Sequence, residues 1–125
     1  MAVTHPAVVR TAIANLVVLR IDAGSGPGTL EFQTAGDVEV ATLTFADPAF
    51  AAAVSGVATA NPIVADASAT GGTIAKARAK DSTGVEVFAC SVTATGGGGD
   101  IQLNSVNISA GQQVSLTSMT YAAPA

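Results

Sequence analysis

The apolar residues of this chain repeat with one period before Gly28 and with another after it, and that switch restricts the fold more than any other feature. Before it, Val9, Ile13, Leu16 and Val17 recur at i, i+4, i+7 and i+8, the spacing that gathers side chains on one face of an α-helix. Thr4 or His5 can cap that helix, and Pro6 suits its first turn, where a missing N–H costs no bond. Val18, Leu19 and Ile21 widen the apolar surface, so the helix is expected to be covered on more than one side. Ala23-Gly24-Ser25-Gly26-Pro27-Gly28 ends it, because glycine permits a left-handed cap and proline forbids continuation. The pattern predicts a helix over residues 6–22.

Beyond Gly28 the period is two. Thr29–Thr34 and Val38–Phe45 read as strands around a turn at Ala35-Gly36-Asp37, and Asp47-Pro48 breaks the second. Residues 48–60 are Ala-rich and show no clear period, Ile63–Asp66 is a short strand, and Thr70-Gly71-Gly72 turns the chain. From Thr73 to Lys80 the alternation puts Thr73, Ala75, Ala77 and Ala79 on one face and Ile74, Lys76, Arg78 and Lys80 on the other. Asp81-Ser82-Thr83-Gly84 is a hairpin loop before a returning strand at Val85–Thr93, and Thr95–Gly99 is a long flexible turn. Strands at Asp100–Leu103, Asn107–Ser109 and Gln113–Tyr121 follow. Short strands at regular turn spacing predict a mainly β protein, a jelly-roll-like antiparallel β-sandwich over residues 29–121 with one N-terminal α-helix. With 125 residues, the whole of 1–125 is expected to be a single domain.

Twenty-six of the residues are Ala, so the apolar content overstates the core. Burying a Val, Leu or Phe side chain is worth about 1.5–3 kcal/mol, and Ala removes far less surface from water. Such a chain gains by burying a further face against a partner, and a homodimer or higher oligomer is expected. Charged residues are 11% of the chain, with a net charge of −4, which argues against nucleic acid as a partner. Asp22, Glu31, Asp37, Glu39, Asp47 and Asp66 precede a later basic segment, with no Lys or Arg between Arg20 and Lys76. No apolar run approaches the ~18 residues that cross a bilayer, so no membrane partner is expected. The short apolar run after Arg10 is closed by Arg20 and Asp22, which suggests a protein made in a cytoplasm and not exported.

Chemistry is poorly provided for. One His and one Cys cannot supply a catalytic triad with partners to spare, and neither has metal-ligand spacing. His5 reads as solvated or capping, and Cys90 as a small buried apolar side chain. Gly24–Gly28 follows a helix and opens a strand, the reverse of a phosphate-binding loop. Gly96-Gly97-Gly98-Gly99-Asp100 departs from the calcium-binding glycine repeat and occurs once, and Asn107-Ile108-Ser109 is a chance glycosylation sequon. Glu39 and Asp47 could converge as a carboxylate pair, but with no Trp and one Tyr there is little to stack on a sugar. The chain is expected not to be an enzyme and to need no cofactor.

Lys76, Arg78 and Lys80 are the residues singled out for protein contact. They stand on one face of one strand and are three of only five positive side chains. Two readings stay open: an edge strand guarded against aggregation by charge, or a basic stripe that meets carboxylates on a partner or on a neighbouring copy's acidic segment.

Several segments together resemble a known family. Ile21-Asp22-Ala23-Gly24-Ser25-Gly26 with Gly28-Thr29-Leu30, then Ala41-Thr42-Leu43-Thr44-Phe45-Ala46-Asp47-Pro48-Ala49-Phe50 and Gly56–Asn61, carry the first half of the likeness. Gly71–Ala79 leading into Asp81–Gly84, Gly98–Asn104, Ile108–Gly111 and Val114–Ser118 carry the second. The pattern is similar to that of the capsid cement, or head-decoration, proteins of tailed bacteriophages. Two departures stand out: Lys76 and Ala77 where many members have an aromatic, and a short connection between Gln33 and Ala41. The resemblance implies a jelly-roll-like sandwich on the outer capsid surface of a virion, with the major capsid protein as partner, bound over joints between subunits. A tail- or fibre-associated adhesion module for a host surface is the alternative.

Overall fold

A computed structural model describes residues 3–116 and 118–123. Among these residues one helix, α1 (Ala7–Ile21), precedes nine strands: β1 (Thr29–Gln33), β2 (Glu39–Thr44), β3 (Val57–Thr59), β4 (Gly72–Thr73), β5 (Lys76–Lys80), β6 (Glu86–Ala94), β7 (Ile101–Leu103), β8 (Asn107–Ile108) and β9 (Thr120–Ala122). The protein is mainly β, as the period switch predicts, with one helix and a curled, mostly antiparallel sheet.

Five strands form that sheet in the order β2-β1-β5-β6-β7, while β3 pairs with β9 and β4 with β8. Register decides which side chains share a face. Leu30 opposes Leu43 and Ala79, and Phe32 opposes Ala41 and Ala77, all with no exposed surface. Phe88, Cys90, Val92 and Ile101 continue this inner face across β6 and β7. The other face carries Thr29, Glu31, Gln33, Lys76, Arg78 and Lys80. Small β5 alanines let larger neighbours on β1 and β6 meet the covering layer. That layer includes α1, through Ala14, Val18 and Ile21, and β9, whose Tyr121 ring lies 5.2 Å from Phe88.

Several local expectations are corrected. Pro6 is itself the N-cap of α1, and neither Thr4 nor His5 supplies a side-chain cap bond. Ile74 is buried, not aligned with Lys76, because the run is two strands: β4 pairs with β8, and phase is lost at Ala75 before β5 begins. Ile63–Asp66 makes only isolated bridges, from Val64 to Thr44 and from Asp66 to Val114. The expected strand Gln113–Tyr121 reduces to the Val114 bridge and β9, and Thr117 within it lies outside the described residues.

The turn at residues 95–100 is the largest departure from an antiparallel plan. It returns the chain so that β7 runs parallel to β6, with Val92 opposite Ile101. Parallel neighbours ordinarily need a crossover of about a dozen residues. Here the loop is folded back onto β6. Gly99 donates its N–H to Thr93 Oγ1, and the Asp100 carboxylate accepts both the N–H and the hydroxyl of Ser91. A Cβ at Gly97 would stand 2.7 Å from Thr93, so a side chain there would open the loop.

Candidate protein-contact surfaces

Lys76, Arg78 and Lys80 share the outer face of the sheet, but β5 lies at its centre, between β1 and β6. The guarded-edge reading therefore does not apply. The three cations meet carboxylates of their own chain. Lys80 Nζ is 3.2 Å from Glu31 on β1, and Arg78 reaches Glu86 on β6 and Asp37 in the β1–β2 turn, at 3.1 Å each. Lys76 also pairs with Asp37. The acidic stretch and the basic stripe are thus brought together by the β1–β5 pairing, inside one molecule. Burial alone would raise the Glu31 carboxyl; hydrogen bonds from Gln33 and Lys80, and the charges of Lys80 and Arg78, outweigh it and hold the group below its ordinary value. Between 23% and 32% of each cationic side chain stays exposed, enough for contact at a rim but not for a free basic patch.

The helix holds the surface that periodicity did not locate. Thr11, Asn15 and Asp22 fall on one side of α1, and their oxygens accept backbone N–H groups of Gly56 (2.9 Å), Ala53 (2.8 Å) and Ala49 (2.8 Å). This clamp lays the Ala-rich segment antiparallel along the helix. The rest of the segment folds back on itself, with Val54 and Val57 exchanging backbone bonds and Ala51 donating to the Thr59 carbonyl, and it ends in β3, paired with β9. The expected buried face, Val9, Ile13, Leu16 and Val17, is only partly so: Ile13 and Val17 are half-buried, Val9 is 38% exposed and Leu16 63%. The wider coverage expected of α1 stops at the clamp. Val8, Val9, Ala12, Leu16 and Leu19 form an exposed stripe without a charge, bordered near Leu19 by exposed Ala51 and Ala52.

A groove of about 490 Å³ opens between β6–β7 and the segment leading into β9, lined by Phe88, Cys90, Ile101, Met119 and Tyr121. Burial, and then the Asp100 carboxylate, push the Cys90 thiol up to about 11, so it stays protonated and unreactive near neutral pH. His5 is half-exposed, and its Nδ1 has no hydrogen-bond partner. Among the described residues no three His, Cys, Asp or Glu side chains gather as a metal site, and no helix is long and apolar enough to cross a membrane.

Compared with protein families, curated proteins and solved structures, the chain matches none.

Proposed function

We propose that the protein is a virion structural protein, a capsid cement or decoration protein that binds the outside of a tailed-phage head and stabilises contacts between major capsid subunits. The observation that carries this is a pair of uncovered surfaces facing away from one small core. One is the uncharged stripe of α1; the other is the outer face of the five-stranded sheet, whose charges are already paired within the chain. Two faces on one domain suit a part that bridges neighbours, and many weak contacts on a symmetric lattice add as avidity. Lys76, Arg78 and Lys80 enter as rim contacts that set register and on-rate more than affinity. The finer architecture belongs to the same proposal: a jelly-roll-like sandwich in which the two small sheets supply the second layer, supported by the Tyr121–Phe88 stack.

A protein that binds the assembled shell and not its free subunits stabilises the shell by mass action. Purified protein is therefore expected to co-sediment with heads stripped of it, to ignore unassembled capsid protein, and to raise the temperature at which heads rupture. Equal binding to free subunits, or no binding to heads, overturns the proposal.

A further inference from the structure

We propose that the exposed stripe of α1 pairs with the same stripe of a second copy, antiparallel, about a two-fold axis passing between Ala12 and Leu16. A second copy is then the neighbour that the stripe binds, which leaves the outer sheet face for the capsid; the pairing itself is a property of the protein in solution.

Val9, Ala12, Leu16 and Leu19 are spaced 3, 4 and 3 apart, the seam that lets helices interlock knobs into holes. A buried helix face also has such spacing, but this one is in water: Leu16 and Leu19 are each 63% exposed, and Val8 beside them 76%. The face that α1 turns to its own core is a different one, centred on Ala14, Val18 and Ile21. No residue of the stripe carries charge, so nothing on it opposes desolvation by a like surface.

The sizes of the residues select the direction. In an antiparallel pair Ala12 faces Leu16 of the second copy and Val9 faces its Leu19, so every layer joins a smaller side chain to a larger one. A parallel pair would set Ala12 against Ala12 and leave a void beside two opposed leucines. Antiparallel packing also opposes the helix dipoles favourably.

Area sets the strength. The stripe with the two alanines beside it is seven residues, against the ~20–30 a side of a standard interface. It falls short of the ~800 Å² per partner of a standard interface, so the dimer is reversible and dilution dissolves it.

Sedimentation equilibrium of the full chain, from roughly 10 μM to 1 mM, reads this directly. The wild type is expected to move from monomer to dimer across that range. Leu16→Glu, at an exposed position, is expected to stay monomeric with an unchanged far-ultraviolet spectrum. Ala12→Leu and Leu16→Ala should each weaken the dimer about tenfold or more, while the double exchange, which restores small against large, should return to within about threefold of wild type. A wild type that stays monomeric to 1 mM, or a Leu16→Glu variant that dimerises normally, overturns the pairing. A double variant as weak as the two losses summed overturns the antiparallel register. If the wild type is monomeric and Leu16→Glu loses only head binding, the stripe belongs to the capsid and the inference fails while the proposed function stands.

Discussion

Gly28 sits between the end of α1 and the start of β1, against the end of β5. A Cβ there would meet the Lys80 carbonyl at 2.4 Å, the Ile21 side chain at 2.6 Å and the Ile21 carbonyl at 2.7 Å. Two of those three are backbone atoms, which cannot swing aside. Forcing carbon into such a space costs about 1–3 kcal/mol, and Gly28→Ala is expected near the upper end, seen as a lower urea midpoint with an unchanged slope. Gly26, two residues earlier in the same loop, has open space around its Cα. Gly26→Ala should therefore be neutral or slightly stabilising, since it removes only unfolded-state freedom. The loop was legible as a helix stop from its glycines and proline. Which glycine is needed for space was not, because Lys80 arrives from 52 positions later in the chain.

The clamp along α1 makes a second testable case. Asn15→Ala leaves the Ala53 N–H without its acceptor, a loss of about 1–3 kcal/mol for a buried donor, reduced by the better helix propensity of Ala. The expected result is a net destabilisation of about 1–2 kcal/mol, with hydrogen exchange at Ala53 and Gly56 accelerated ahead of the sheet. This arrangement explains what sequence patterns missed. The helix existed on any reading, but apolar residues nearly surround it, so periodicity could not choose its buried side; Thr11, Asn15 and Asp22 look like solvent-facing residues and instead hold a segment 27–45 positions away. The Ala-rich stretch had no period to find for the same reason. Likewise Lys76, Arg78 and Lys80 were legible as one face, while the central place of β5 depended on its pairing with distant β1. That pairing also shapes acid stability. Glu31 is held below its ordinary value, as is Asp81, whose carboxylate accepts the Thr83 hydroxyl and the N–H groups of Val85 and Thr83 in the hairpin loop. A carboxyl whose folded pKa is depressed gives stability that is present above its unfolded value, 4.5 for Glu and 3.8 for Asp, and lost as pH falls through the folded value. Unfolding followed from pH 6 down to pH 2 should therefore show falling stability over the acid range, and Glu31→Gln with Asp81→Asn should flatten that fall.

The molecule as a whole has little room for error in its packing. Its inner sheet face alternates Leu and Phe with Ala, the cations of its outer sheet face are paired with carboxylates of the same chain, and α1 leaves an apolar stripe in water. A mainly β class could be read from turn spacing. The parallel β6–β7 pair could not, since a six-residue return depends on how Gly97, Gly99 and Asp100 fold onto β6. The proposed function rests on a resemblance and on a poverty of chemistry, and the two uncovered surfaces are what the proposal adds: contacts on two sides. Whether those contacts are made on a phage head is read most directly by labelling the protein on intact virions with gold and mapping the particles by electron microscopy. The account predicts label over the whole head surface and none on the tail. Label confined to the tail or its fibres would contradict it, and would assign the same surfaces to adhesion.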